Sequence, residues 1–268
     1  MKYFFHIAYR GNRYRGWQRQ PNVLSVQEVI ETAISRILKT PVTIMGCGRT
    51  DAQVHATQFF FHLEVEKKWD FDLLFRLNKL LPPDIAVFEI IPATDSQHAR
   101  FDAMQRTYDY FIHTYKNPFL SESSAFYGEQ NLNFDEMKKG AKLFLTHNDF
   151  AAFCKSPTKY KHTICHVSSV ILFRDAAGEK IRFQISANRF LSSMVRTMVG
   201  TLLEIGKGNF NVEELENGIA AQELPEFITP AYPQGLYLSK VNYRYLDIPA
   251  RTEFSAIFQN TEQDWVII

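Results

Sequence analysis

The chain of 268 residues is predicted to fold as α+β, in two halves built on mixed, mainly antiparallel sheets. Three observations predict this. Apolar and aromatic residues alternate with period two in several short runs, and these runs cluster without the strict strand–helix rhythm of a parallel sheet. The stretch from Thr94 to Gln105 is polar and irregular, which marks a boundary. Strands and helices then recur in proportions close to those of the first half, a similarity of pattern too weak to be a sequence repeat. The expected domains are residues 1–105 and 106–268.

In the first half, Tyr3 to Tyr9 alternates and reads as a strand, followed by a polar, glycine-punctuated loop from Arg10 to Gln20. Ser25-Val26-Gln27-Glu28 has the form of a capping box. After it, Val26, Val29, Ile30, Ala33, Ile34, Ile37 and Leu38 keep the spacing of an amphipathic helix, and Pro41 follows its end. Val42 to Met45 reads as a short strand and Thr57 to Val65 as a Phe-rich one. Asp70 can cap a helix running to Leu81, which Pro82-Pro83 stops; Ile85 to Ile91 is a strand.

In the second half, Arg106 to Thr114 alternates, with Tyr108, Tyr110 and Ile112 on one face. Asp135 to Leu145 is helical, with a short helical turn after His147-Asn148-Asp149. Val167 to Arg174 and Lys180 to Ala187 are strands joined by the turn Asp175-Ala176-Ala177-Gly178. Arg189 to Ile205 is a long apolar helix ending at Gly206 and Gly208, and Val212 to Ala221 a shorter one. Gly235 to Tyr243 is a strand, and Thr252 to Phe258 a last one.

A net charge of +1 does not announce a nucleic-acid partner, but the distribution of charge is uneven. From Met1 to Gln27 there are Lys2, Arg10, Arg13, Arg15 and Arg19 and no acid; a second basic cluster is Lys155, Lys159, Lys161, His162 and His166. The cysteines, Cys47, Cys154 and Cys165, form no Cys-x-x-Cys, which fits reduced thiols in a cytosolic protein. His162-x-x-Cys165-His166 lacks a second ligand cluster, so no metal is expected there. There is no phosphate-binding glycine loop, no dinucleotide fingerprint and no His-Glu-x-x-His, so the chemistry is expected to need no cofactor. No signal-peptide pattern and no membrane-spanning apolar run is present, and the expected location is cytoplasmic.

The run from Gly46 to Ala56 carries Arg49 and Asp51 two residues apart among glycines and small residues. A guanidinium close to a carboxylate favours its ionised form, and an ionised, oriented carboxylate serves as nucleophile or base. The commoner outcome for such a triplet is a surface ion pair in a turn. In the Arg10–Gln20 loop, arginines suit phosphates, Trp17 suits a base and Gln18 a base edge; the alternative is a solvated basic turn with Trp17 anchored in the core. Arg196, inside an apolar helix, must find a carboxylate or an anionic ligand. Tyr108 and Tyr110 are packing residues unless one lines a cleft, where it could stack on a base or relay a proton. Arg100, within His98-Ala99-Arg100-Phe101-Asp102-Ala103, adjoins the expected boundary, where clefts form.

Together these residues resemble the TruA-type tRNA pseudouridine synthases, the tRNA pseudouridine synthase I family. The motifs occur in family order from Tyr9 to about Tyr243: Gly16-Trp17-Gln18-Arg19-Gln20; Ser25-Val26-Gln27; Gly48-Arg49-Thr50-Asp51-Ala52 with Val54-His55; Leu81-Pro82 with Asp84-Ile85-Ala86-Val87; and His98-Ala99-Arg100-Phe101. They continue with Tyr108 and Tyr110, Asn148-Asp149-Phe150, Met194-Val195-Arg196 with Val199-Gly200, and Gly235-Leu236-Tyr237-Leu238. The resemblance implies two pseudo-symmetric halves flanking a central RNA-binding cleft, a homodimer that grips tRNA, and isomerisation of uridine to pseudouridine in the anticodon stem-loop. It makes Asp51 the catalytic aspartate, Arg49 the arginine of the same motif, Tyr108 the active-site tyrosine and Arg196 the partner of the aspartate. Arg10, Arg13, Arg15, Trp17, Gln18, Arg19, His55, Arg100 and Leu236 are the expected substrate contacts. The family's motif has glycine where this chain has Gln53, which makes positive φ less comfortable and adds an amide beside the carboxylate. Two alternatives follow: a non-catalytic tRNA-binding relative, and a synthase with a different RNA target because of Gln53.

Overall fold

The structure, a computed structural model, describes residues 1–129, 131–251 and 266–268. They form two compact units: Met1–Met104 with Tyr237–Arg251, and Gln105–Leu236 with residues 266–268.

The first unit is built on strand β1 (Lys2–Tyr9), which pairs antiparallel with both β3 (His55–Glu64) and β4 (Ile85–Ala93). β2 (Ile44–Gly46) pairs antiparallel with β3, and β9 (Leu236–Asn242) pairs parallel with it through His55–Tyr237 and Ala56–Leu238. Nearly all of β1 is buried, so alternation gives way to a doubly covered strand. Phe4, Phe5, Phe59, Phe60 and Phe61 fill this core, with Phe5 stacked on Phe61 at 4.6 Å. The buried amide of Gln58 accepts from Val241 N and donates to the carbonyls of Ile248 and Pro249, tying β9 and the chain after it to β3.

Helix α1 (Val26–Leu38) starts where the capping motif predicts, but half of the box is seen: Ser25 Oγ accepts from Glu28 N at 3.3 Å, while the Glu28 carboxylate lies 3.9 Å from the Arg19 guanidinium. Helix α2 (Leu73–Leu80) is shorter than expected. Its cap is Asp72, whose carboxylate accepts from Phe75 N at 2.9 Å, and not Asp70. Leu81, preceding Pro82, is extended, as the proline ring demands. Strand β4 runs on to Ala93 through Pro92, which an edge strand tolerates.

In the second unit β8 (Lys180–Ala187) pairs antiparallel with β5 (Gln105–His113) and with β7 (Val167–Arg174). β10 (Val266–Ile267) joins β7 antiparallel, and β6 (Ala125–Phe126) joins β5 parallel. Helices α3 (Phe134–Thr146), α4 (Met194–Lys207) and α5 (Val212–Ala221) accompany this sheet. Asn211 and Glu214 form a complete capping box at α5. The fully buried Asp109 receives Arg182 Nε at 2.7 Å and Gln184 Nε2 at 3.0 Å, which compensates a charge that burial would otherwise disfavour.

Helix α4 begins five residues later than the apolar run predicts. Ser193 has φ +62°, a left-handed conformation that ends any helix entering from its N-terminal side. α4 also packs at backbone distance on residues 229–231: a Cβ at Gly200 would lie 2.1 Å from Thr229 O. Within each unit the strands pair mainly antiparallel, with parallel pairing of β9 on β3 and of β6 on β5, and the α+β class is the one predicted. The strand expected at Thr252 to Phe258 lies outside the described residues. Among the described residues no helix is long and apolar enough to cross a membrane.

Candidate active site

Asp51 is half-buried in the turn that connects β2 to β3, and Arg49 is exposed beside it. Val54 N donates to Asp51 O at 3.2 Å, closing a four-residue turn whose third residue, Gln53, has φ +66°. Such a turn favours glycine at that position, so Gln53 occupies a glycine conformation at some cost. The side chain of Gln53 is exposed.

The Arg10–Gln20 loop clamps this turn from its backbone side. Trp17 N donates to Thr50 O (3.2 Å), Gln53 N to Tyr14 O (3.1 Å) and Gly11 N to His55 Nδ1 (3.0 Å). Tyr9 Oη and Thr50 Oγ1 share a buried hydrogen bond of 2.9 Å. The two glycines of the loop are required by close approach: a Cβ on Gly11 would lie 2.0 Å from Val54 O, and one on Gly16 (φ +89°) 2.4 Å from Thr50 O. Trp17 is 2% exposed, its ring 4.1 Å from Phe59 and against Gly46, so it anchors the loop in the core and presents no face for a base. This corrects its expected place among the substrate contacts: an indole that fills a core cannot also stack on RNA. Tyr14 is buried too; its hydroxyl donates to Asp84 Oδ1 at 2.6 Å, and burial followed by that bond pushes its phenol up. With these rings turned inward, Arg10, Arg13, Arg15, Gln18 and Arg19 are left exposed on the loop. Arg13 lies 3.7 Å from Asp84 and Arg19 3.4 Å from Glu31.

His55 is buried, with Nδ1 accepting from Gly11 N and the ring stacked on Tyr237 at 4.5 Å. It supports the turn from within. Arg100 is exposed in a turn beside the other end of β3: Ala99 N donates to His62 Nδ1, and Arg100 N and Phe101 N to His98 Nδ1. Burial, reinforced by His98 and Lys2, pushes His62 down to about 4.

The second unit carries the remaining predicted residues. Tyr108 lies on β5 opposite Ile185, buried, with Phe190 edge-on at 5.0 Å. Tyr110 is fully buried and donates to Tyr232 O at 2.7 Å; burial pushes its phenol well up. Arg196, in the first turn of α4, is half-buried rather than wholly enclosed. Its Nε donates to Ala231 O at 2.6 Å while Ala231 N donates back to Arg196 O at 2.8 Å. This reciprocal pair, with the Gly200 contact one helical turn further on, aims the guanidinium by backbone. Leu236, at the start of β9, is buried.

A family model described as tRNA pseudouridine synthase matches residues 141–244. A protein of Parabacteroides distasonis named tRNA pseudouridine synthase A is 40% identical over 245 residues, spanning 90% of this chain and 96% of its own. Proteins of the same name from Porphyromonas gingivalis (38% identical, 90% and 97% of the two chains) and Bacteroides thetaiotaomicron (40%, 90% and 90%) agree. The chain belongs to the tRNA pseudouridine synthase A family. It is thereby an isomerase of the RNA-modifying kind, as its motifs predict.

In this pseudouridine synthase, sequence reasoning names the residues that bear charge and misses those that hold them. Tyr9, Gly11, Tyr14, Gly16 and Thr50 build the platform under Asp51. The spacing of Gly11 and Gly16 within an arginine-rich loop was the available signal, since two glycines bracketing a short loop mark close backbone approach. Ala231, which orients Arg196, leaves no trace in the sequence.

Proposed function

We propose that this chain isomerises uridine to pseudouridine in the anticodon stem-loop of tRNA, with Asp51 as the catalytic carboxylate. Family membership supports the reaction, and the observation that carries the assignment of Asp51 is its seat: a turn held by four hydrogen bonds and two glycine contacts, most of them to a loop whose arginines are exposed. The reaction breaks the bond from ribose C1′ to uracil N1, joins C1′ to C5, and moves a proton from C5 to N1. Oxidation level and atom count are unchanged, so no redox partner is called for. Asp51 acts on the ribose, as a nucleophile at C1′ or as a base at C2′. Arg49 and Arg196 supply positive charge for the reaction, and Tyr108 assists at the uracil. The target must leave the base stack to reach a carboxylate in a protein turn, and Arg10, Arg13, Arg15, Arg19 and Arg100 hold the distorted backbone. The working form is a cytoplasmic homodimer. Gln53 tunes which uridine is accepted, because its amide sits two residues from Asp51.

The test is incubation with unmodified tRNA transcripts and mapping of pseudouridine, with Asp51→Asn alongside. Wild type is expected to form pseudouridine and Asp51→Asn to form none while still binding tRNA. Equal activity in the variant, or tight binding by wild type with no pseudouridine in any tRNA, overturns the reading in favour of a binding protein.

A further inference from the structure

The second basic cluster of the sequence is absorbed neither by the turn of Asp51 nor by Tyr108 and Arg196. Between Asp149 and Asp175 the chain has no acidic residue, yet it carries Lys155, Lys159, Lys161, His162 and His166. All five are exposed. A short helical turn, Pro157–Lys159, shapes the segment, and Tyr160 fastens it: its hydroxyl accepts from Ser192 N at 3.0 Å, and Lys155 N donates to Ser192 O. Arg189 joins the group from the same turn before α4. Its guanidinium carbon lies 5.7 Å from the Tyr160 ring centre, and Nη1 meets His162 Nε2 at 3.4 Å. The adjacent carboxylate, Asp149, is engaged elsewhere, receiving Thr163 Oγ1 (2.5 Å) and Ala151 N on Oδ1 and Gln222 Nε2 (2.7 Å) on Oδ2.

We infer that Lys155, Lys159, Lys161 and Arg189 form a second binding surface for the sugar–phosphate backbone of the RNA substrate, held by Tyr160 against the turn that leads into α4. Exposed lysines with no local acid present point charges to phosphates and read no sequence. Tyr160 is a positioning residue: it keeps the cationic segment attached to the turn just ahead of Arg196. The inference rests on RNA being the substrate.

The experiment measures tRNA binding to the full chain across a salt series, with an unmodified transcript as the probe. The variants are Lys155→Gln/Lys159→Gln/Lys161→Gln and a control that neutralises three exposed lysines elsewhere, Lys67→Gln/Lys68→Gln/Lys142→Gln. Loss of three phosphate contacts is expected to weaken binding about tenfold or more at moderate salt and to lower the slope of log K against log salt by about 2 to 3. The control is expected to lose little of either, and Arg189→Gln to lower the slope by about 1. An unchanged slope in the triple variant overturns the inference, and so does an equal loss in the control, which would make net charge the whole effect. Pseudouridine formation by wild type, scored separately, reports on the enzymatic reading alone, so the two can fail independently.

Discussion

Two arginine- and lysine-rich segments of similar size are built in opposite ways. The Arg10–Gln20 loop has its aromatic rings in the core, two glycines in backbone contact with the turn of Asp51, and hydrogen bonds that fix it residue by residue. The Lys155–His166 segment hangs from Tyr160 and from a few backbone bonds, with its lysines exposed. Composition alone does not separate them. The difference teaches what each must do. A carboxylate that reacts has to be held to a fraction of an ångström, and so does its platform, whereas a phosphate contact works through charge over a longer reach.

The largest test of this contrast is Trp17→Ala against Tyr160→Ala. Removing the buried indole is expected to cost about 3–5 kcal/mol in denaturant unfolding and to abolish activity, while the half-buried tyrosine costs on the order of 1–2 kcal/mol. Equal losses would break the comparison. Next is Gly16→Ala against Gly178→Ala. Both glycines have positive φ, but a Cβ at Gly16 meets Thr50 O at 2.4 Å and one at Gly178 meets nothing within 4 Å. The first is expected to destabilise by on the order of 2–3 kcal/mol and to lower kcat; the second carries only the φ penalty, about 1 kcal/mol.

A pH series sharpens the same comparison within the first unit. His62 in the folded chain is held down to about 4 by burial, against an ordinary 6.5. Burial lowers His6 and His98 as well. Between those values the unfolded chain binds more protons, so stability is complete above pH about 6.5 and is lost as pH falls toward 4. Melting temperature is expected to drop over that window, and His62→Gln, which keeps an acceptor for Ala99 N, to flatten the drop. The smallest effect is Gln53→Gly, expected to stabilise by about 1 kcal/mol through relief of positive φ while changing the relative yields among target uridines. Identical yields would remove Gln53 from substrate choice.

Much of this was legible beforehand. Strands β1, β7 and β8 and helices α1 and α5 fall where period and capping chemistry put them, because those signals are local. The exposed charges of the site were legible for the same reason: arginines and lysines outnumber the acids near them in the chain. The start of α4 was not, because Ser193 takes a left-handed conformation that no propensity favours. Nor was the cap of α2, where Asp70 and Asp72 look alike and only the bond to Phe75 N decides. Trp17 allowed two readings, base-stacking or core, and packing against Phe59 and Gly46 chose the second.

The amino-acid sequence by itself determined the α+β class, the order of most elements, the position of Asp51 in a small-residue turn and the sites of positive charge, since each follows from neighbours a few residues apart. Only the tertiary structure decided what supports that turn, which rings are anchors, and which carbonyl aims Arg196. Those depend on residues distant in the chain — Thr50 with Gly16, Arg196 with Ala231 — that meet only because burial of the core brings their backbones together.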